Sequence, residues 1–375
     1  MSTKRAILII AASLAASGAA ADDRPQGITT PQVLAPYDAA APGCRKPPRL
    51  KKILAFAQDN RRQFMEGVSH GLEMAAKDRG LAYEVALADN DSAKQAAQVE
   101  RLRDAKVGAV VASPVDPPSL KPRLQALIWG GAYVGTVVPP PAITLLNAPQ
   151  YLTGKTLGDA AAAYIRERLA GRAKVVLLTQ DSIEFLAPRF TAMRDALKDM
   201  PEVDIVADIS PSPVSEEGGR NTMRIILEAH PKIDVVLGAD TVVVGALQAL
   251  REAGKDRPEQ YLGGIDGEPK AVAEIKQGNG PYKASVALSS PVFGYALGWL
   301  AADWLAGKSV PQAMDILPIV LTSSKLAHYE TDLQNPAAVY ADPARRASYL
   351  KMYGNICYAT RERYVNFPWT SEMRQ

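Results

Sequence analysis

The sequence is poor in the residue types on which most catalytic and metal sites depend. Its 375 residues include only three histidines and two cysteines. The histidines His70, His230 and His328 are scattered, and neither cysteine has the spacing of a zinc ligand set. No Walker loop is present, and no Gly-x-Gly-x-x-Gly motif follows a predicted strand. We therefore expect a protein without catalytic residues, without a metal site and without a cofactor.

An excess of charge of one sign is also missing. Forty-three lysines and arginines face forty aspartates and glutamates, which gives a net charge of +3. Proteins that bind nucleic acid or a membrane surface through electrostatics carry an extended basic region, and this balance provides none. Beyond the N-terminus, no apolar run approaches the roughly 20 residues that cross a bilayer. We expect no nucleic-acid partner and no membrane span.

The N-terminus has the order of features that export machineries recognise. Lys4 and Arg5 precede a short apolar run over residues 6–16, and the small residues 19–21 follow it. Charge, apolar run and small residues in this order are typical of a secretory signal peptide. We expect residues 1–21 to be removed by cleavage after Ala21, and the mature protein to be periplasmic.

The two cysteines, Cys44 and Cys357, lie near opposite ends of the chain. In an oxidising compartment such a pair is compatible with one disulfide that joins the two tails. Two free thiols are the alternative, because the bond forms only where the two Cα atoms come close.

The middle of the chain alternates between strand and helix patterns. After an extended arm over 22–51 that is rich in proline and alanine, apolar runs such as 52–58 alternate with helical segments such as 64–80. This alternation predicts βαβ units, and continuously apolar strands indicate parallel sheets covered on both faces. The pattern runs twice, with a break near 145–154, so we predict two α/β lobes. The aromatic-rich segment 325–375 predicts an extension packed on the body.

Polar residues stand at the carboxyl ends of several predicted strands, where open parallel sheets bind ligands. These strand-end residues are Gln58, Ser113, Gln180, Asp240 and Asp266. Arg62 and Phe64 follow the first strand, and Arg189 lies in the first turn of a second-lobe helix. An arginine is most often a surface charge. An arginine opposite an aspartate, with an aromatic ring nearby, is also a common grip on polyhydroxylated or anionic small molecules.

The chain resembles the ribose-type (type I) periplasmic substrate-binding proteins of ABC sugar importers. The resemblance covers about 52–324 and depends on "ILAFAQDNRRQFMEGVSHGLEMAAKDRG", "DAKVGAVVASPVD", "ILEAHPKIDVVLGADTVVVGALQALREAGK" and "GGIDGEPKAV". It implies two lobes joined by three crossovers, near Ala148, Leu288 and Pro311. The first lobe would then comprise 52–147 and 289–311. The second would comprise 148–288 and 312–324.

The resemblance also implies which residues bind the ligand. Phe64 would stack on a sugar face, and Asp266 and Arg189 would contact ligand hydroxyls. Ser113 stands where the family often has asparagine. Together with the strand-end position of Asp240 and the hinge position of Ser289, this predicts as ligand-binding residues Gln58, Arg62, Phe64, Ser113, Arg189, Asp240, Asp266 and Ser289.

The chain departs from the family pattern at three places. "TVVPPPA" replaces a frequent Asp-Arg pair, Ala239 a frequent asparagine, and Leu288 a frequent glutamine. Fewer polar anchors favour a less hydroxylated sugar, a sugar derivative or a small organic anion as ligand. The resemblance implies a monomer that delivers its ligand to an inner-membrane ABC permease. The alternative is a sensing subunit that docks on a membrane histidine kinase or chemoreceptor.

Overall fold

The computed structural model describes residues 24–373, and the predicted signal peptide lies outside this range. The strands are β1 (Lys51–Gln58), β2 (Ala82–Leu87), β3 (Val107–Ala112), β4 (Tyr133–Val137), β5 (Thr144–Asn147), β6 (Ala173–Leu178), β7 (Val203–Ile209), β8 (Val235–Gly238), β9 (Tyr261–Asp266), β10 (Tyr282–Ala287), β11 (Ala313–Ile316), β12 (Ile319–Leu321) and β13 (Leu350–Tyr353). The helices are α1 (Gln63–Asp78), α2 (Ser92–Asp104), α3 (Pro117–Trp129), α4 (Gln150–Arg168), α5 (Ala187–Leu197), α6 (Glu216–Ala229), α7 (Asp240–Glu252), α8 (Pro269–Gln277), α9 (Ser290–Leu305), α10 (Leu326–Gln334), α11 (Pro336–Ala341) and α12 (Pro343–Tyr349).

The strands form two sheets, and each sheet is the core of one lobe. The first has the order β13-β11-β5-β4-β3-β1-β2, and the second has the order β12-β10-β9-β8-β6-β7. Pairing is parallel except at β11–β13 and β10–β12, which are antiparallel. The predicted two-lobed α/β fold is confirmed.

Burial explains why the strands carry continuous apolar runs. Every residue of β3 is buried, because helices cover both faces of the sheet. Helix α1 turns Met65, Val68 and Leu72 inward and packs against α9. A Cβ atom added at Gly71 would lie 2.2 Å from the backbone oxygen of Pro291. The glycine therefore allows the two helix backbones to approach closely.

The chain crosses between the two sheets three times within the region of the resemblance. The first crossing follows β5 beside Ala148, and the second follows β10 beside Leu288. The third lies at 317–318, between β11 and β12, rather than near Pro311. Strand β11 pairs with β5 of the first sheet, so the predicted assignment of 312–324 to the second lobe is corrected for 313–316.

The C-terminal extension adds to the first lobe. Strand β13 pairs with β11 at the edge of the first sheet, and Val365 bridges to Ala142 of that lobe and to Ile28 of the arm. The predicted disulfide is confirmed: Cys44 and Cys357 are bonded, with their Cα atoms 5.8 Å apart. The arm and the extension are thereby fixed to each other and to the first lobe.

Between residues 24 and 373, no helix combines the length and the apolar character that crossing a membrane requires.

Candidate binding cleft between the lobes

A cleft of about 1090 Å³ lies between the two lobes, at the carboxyl ends of their strands. Loops that follow β1, β3 and β4 line it from the first lobe, and loops that follow β6, β8 and β9 line it from the second. The crossings beside Ala148 and Leu288 form its hinge side. The site predicted from strand ends is therefore a single cavity to which both lobes contribute.

Asp266 is the last residue of β9 and lines this cleft. Its φ of 114° lies in the left-handed region, which residues other than glycine rarely adopt. The following amide, that of Gly267, donates to Ser285 Oγ at 3.0 Å and fixes the turn. The Asp266 side chain is 39% exposed, so the strained turn presents a carboxylate to the cleft.

Arg189 faces Asp266 from helix α5. Its side chain is only 8% exposed, and its Nη1 lies 3.8 Å from Asp266 Oδ1. Its Nε donates to Gln150 Oε1 at 2.9 Å. Burial lowers the pKa of Arg189, and the Asp266 carboxylate opposes this shift. Since 3.8 Å exceeds a hydrogen-bond length, a hydroxyl group could accept from Arg189 while donating to Asp266.

Asp59 provides a second carboxylate, from the first lobe. It directly follows β1, lines the cleft and is 7% exposed. Its Oδ2 accepts from Arg62 Nη2 at 3.0 Å, but its buried Oδ1 has no hydrogen-bond partner among the described residues. Buried polar atoms nearly always have a partner, so Oδ1 is a candidate acceptor for a ligand donor. The neighbouring Gln58, rather than Asp59, was predicted as a ligand-binding residue.

Five of the eight predicted ligand-binding residues line the cleft. They are Arg62, Phe64, Ser113, Arg189 and Asp266. The ring of Phe64 also packs on Phe293, with centroids 5.6 Å apart, which fixes its orientation at the cleft surface.

The other three predicted residues lie behind the cleft. Gln58 is 2% exposed, and its Nε2 donates to the Asn60 oxygen at 2.6 Å. Ser289 is 1% exposed, and its Oγ donates to Tyr329 Oη at 3.3 Å. These two residues shape the loops around the cleft rather than reaching into it.

Asp240, the third of them, has no exposed surface. Its Oδ1 accepts from Tyr282 Oη at 2.7 Å, and its Oδ2 accepts from Ser285 Oγ at 2.7 Å and from the Glu268 amide at 2.8 Å. Because these donors bind its carboxyl oxygens, Asp240 holds the loop at Glu268 in place and does not face the cleft.

The buried carboxyl of Asp240 predicts a pH-dependent stability. Burial raises its pKa to about 8, against three hydrogen bonds that lower it. An aspartate of the unfolded chain has a pKa of about 3.9. Between these values the unfolded chain releases a proton that the folded protein keeps, so stability falls as the pH rises, by at most about 1.4 kcal/mol per pH unit. Asp240→Asn imitates the neutral carboxyl and should flatten the fall in Tm between pH 4 and pH 8.

Thermal denaturation of wild type and Asp240→Asn at matched pH values checks this prediction. The difference between the two proteins isolates Asp240 from other titrating groups. Parallel curves would mean that Asp240 is ionised in the folded protein, and would contradict the prediction.

Further residues of the cleft were not predicted from the sequence. Phe185, in the loop before α5, lines the cleft and is 64% exposed. Thr241 Oγ1 donates to Glu268 Oε1 at 2.8 Å, and both residues line the second-lobe side. Position in a loop after a strand was their only signal in the sequence: Phe185 lies in the loop between β6 and α5, and Glu268 lies two residues after β9.

A second cavity, of about 680 Å³, lies between the arm, α9 and the extension. Tyr295, Trp299 and Tyr340 line it, and their rings contact one another at centroid distances of 5.6 to 6.0 Å. This aromatic cluster joins α9 to α11 and takes no part in the interlobe cleft.

Two features bear on catalysis. Residues 67–71 read Gly-Val-Ser-His-Gly, but they lie inside α1, whereas a nucleophile elbow requires a strand-to-helix turn. Ser69 Oγ is 2.9 Å from Tyr83 Oη and away from the cleft residues. Within residues 24–373, no group of three or more histidine, cysteine or acidic side chains could hold a metal ion.

Two parallel-sheet lobes with a polar cleft between them define the class of two-lobed small-molecule binding proteins. The family model described as periplasmic binding protein domain matches residues 54–309, and the chain belongs to this family. The family implies a location outside the cytoplasm.

Named relatives agree with this assignment. The ribose import binding protein of Bacillus subtilis is 28% identical over 273 residues, which cover 70% of this chain and 84% of the relative. A xylitol-binding protein of Mycolicibacterium smegmatis is 28% identical over 238 residues, which cover 61% and 65%. A solved solute-binding protein of Bacillus halodurans with bound myo-inositol has a TM-score of 0.62 and 20% identity, over 75% of this chain and 98% of that one. These relatives are named as binding proteins, and this chain is a binding protein rather than an enzyme.

Proposed function

We propose that the protein captures a sugar or polyol in the interlobe cleft and delivers it to an ABC importer. The observation that carries this proposal is the pair of Asp266 and Arg189 on one lobe, with the unpartnered Asp59 Oδ1 on the other. A hydroxyl group donates to a carboxylate and accepts from a guanidinium, so neighbouring hydroxyls on one ligand could satisfy both lobes. The ribose and xylitol in the names of two relatives are polyhydroxylated compounds of this kind.

Ligand binding would act on the equilibrium between open and closed arrangements of the lobes. A ligand that contacts Asp59 and Asp266 together binds the closed form more tightly and shifts the population towards it. The closed form then differs in surface from the ligand-free form, and an inner-membrane permease can recognise it. The word import in the name of one relative favours this partner over a sensor kinase or chemoreceptor.

Export to the periplasm completes the proposal. The predicted signal peptide over residues 1–21 would direct secretion, and the mature protein would act there as a monomer. The bond between Cys44 and Cys357 supports this location, since disulfides persist in oxidising compartments.

Isothermal titration of the refolded, ligand-free mature protein tests the proposal. The panel contains pentoses, hexoses, sugar alcohols and sugar acids, together with small organic anions. We expect one compound or a few related ones to bind with a stoichiometry of one. Such a ligand at about 100 times its Kd should add roughly 2.7 kcal/mol to the free energy of unfolding, which raises Tm. A folded protein that binds no sugar or polyol of the panel would contradict the proposal.

A further inference from the structure

The C-terminal extension contributes a wall to the cleft. Tyr329 and Leu333, both on α10, line the cleft, although α10 lies beyond the 54–309 region that the family model matches. In a helix, residues i and i+4 lie on the same face, so these two side chains stand one above the other. The extension is therefore part of the site.

Helix α10 is bound both to the rest of the extension and to the second lobe. Asp332 has no exposed surface and accepts from Tyr349 Oη at 2.6 Å and from Arg345. Glu330 accepts from Lys276 of the second lobe at 3.0 Å. Since β13, next to Tyr349, pairs with the first sheet, α10 has a fixed position beside the hinge. Its cleft-facing side chains can therefore discriminate between ligands.

The surface that α10 helps to form is apolar. Tyr329, Leu333, Leu288, Val137 and Val138 all line the cleft, and we call these five residues the apolar wall. Its one polar side-chain atom, Tyr329 Oη, accepts from Ser289 Oγ and keeps its own proton. A ligand hydroxyl against the four aliphatic side chains of this wall would lose water without gaining a side-chain partner, whereas a methyl group would gain contact area.

The charged groups of the cleft belong to other elements. Asp59 follows β1, Asp266 ends β9, and Arg189 lies on α5. The cleft therefore has a polar part that matches hydroxyls and an apolar part that matches hydrocarbon or a thioether.

We propose that the ligand is a sugar or polyol with one apolar end, such as a deoxy or alkylthio group, and that Leu333 and Tyr329 select it. This inference rests on the proposed function and narrows its substrate class. The hydroxyls of the ligand bind Asp59, Arg189 and Asp266, and its apolar end packs on the apolar wall.

Matched pairs of sugars that differ at one terminal position test the inference. The probes are D-ribose with 5-deoxy-D-ribose and 5-methylthio-D-ribose, D-galactose with D-fucose, and D-glucose with 6-deoxy-D-glucose. For at least one pair, we expect the wild-type Kd for the deoxy or methylthio member to be at least about 10-fold lower than the Kd for its hydroxylated parent. One apolar group in a matching pocket allows a difference of this size.

Substitutions on α10 test whether the apolar wall causes the preference for the deoxy or methylthio sugar. Leu333→Asn keeps a side chain of similar size but makes it polar, and should lower the preference to less than about 3-fold. Leu333→Ala removes the contact and serves if the polar variant fails to fold. Tyr329→Phe keeps the apolar surface and should keep the preference. Gln334→Ala, at an exposed position of the same helix, is the matched control and should behave as wild type.

The outcomes separate this inference from the proposed function. If no sugar of any pair binds to folded protein, the proposed function fails and the inference fails with it. If sugars bind but the hydroxylated parents bind as tightly as their deoxy members, the inference is overturned and the proposed function stands. An unchanged preference in both Leu333 variants would also overturn it.

Discussion

Arg189→Ala is expected to weaken sugar binding by about 100-fold. The guanidinium is buried, donates to Gln150 and faces Asp266, so its loss removes the proposed ligand donor and the ion-pair partner of Asp266. A hydrogen bond to a charged group typically contributes about 1.5–3 kcal/mol, and about 2.7 kcal/mol corresponds to 100-fold. Isothermal titration with the best ligand of the panel measures the effect.

Two further variants control this experiment. Arg194→Ala removes an arginine of the same helix that pairs with Asp181 and Asp208 and does not line the cleft, and it should change Kd less than about 3-fold. Arg189→Lys keeps the charge but loses the planar guanidinium, so its Kd should lie between those of the two alanine variants. If folded Arg189→Ala binds within 3-fold of wild type, Arg189 is not a ligand-binding residue.

The second large effect concerns stability. Replacing both Cys44 and Cys357 by serine is expected to lower the free energy of unfolding by about 2–5 kcal/mol. The cysteines are 313 residues apart, so the bond closes a very long loop in the unfolded chain, and long loops gain most from a cross-link. Denaturant unfolding of the oxidised wild type and the double variant gives the difference.

The disulfide lies away from the residues that line the cleft. The folded double variant should therefore bind sugar with a Kd close to that of the wild type. Reducing wild-type protein with dithiothreitol should reproduce the stability of the double variant. Equal unfolding midpoints for the oxidised wild type and the double variant would show that the bond contributes nothing to the free energy of unfolding.

The sequence predicted the fold and the edge of the sheets where the cleft lies. Continuous apolar runs alternating with helical periodicity determine parallel sheets, and parallel strands bring their carboxyl ends to one edge. Asp266 was accessible to this reasoning because it ends β9, and Arg189 because it lies in the first turn of the helix that follows β6. The third crossing was misplaced because β11 and β12 are short and only two residues apart, so they read as one run.

Whether a residue at a strand end faces the cleft or is buried behind it could not be predicted from the sequence. Asp240 stands at a strand end like Asp266, yet Tyr282 and Ser285, more than 40 residues later, supply donors that bury its carboxyl. The apolar wall was inaccessible for a similar reason. Tyr329 and Leu333 lie on a helix that Asp332 ties to Arg345 and Tyr349, and such long-range packing leaves no local pattern.

The most direct test of the central claim is a crystal structure of the mature protein with the best-bound sugar of the panel. The account predicts one ligand in the interlobe cleft, with hydroxyls within hydrogen-bond distance of Asp266, Arg189 and Asp59 Oδ1. It also predicts that the lobes close around the ligand. A sugar bound outside the interlobe cleft, for example in the cavity beside Trp299 and Tyr340, would contradict the account.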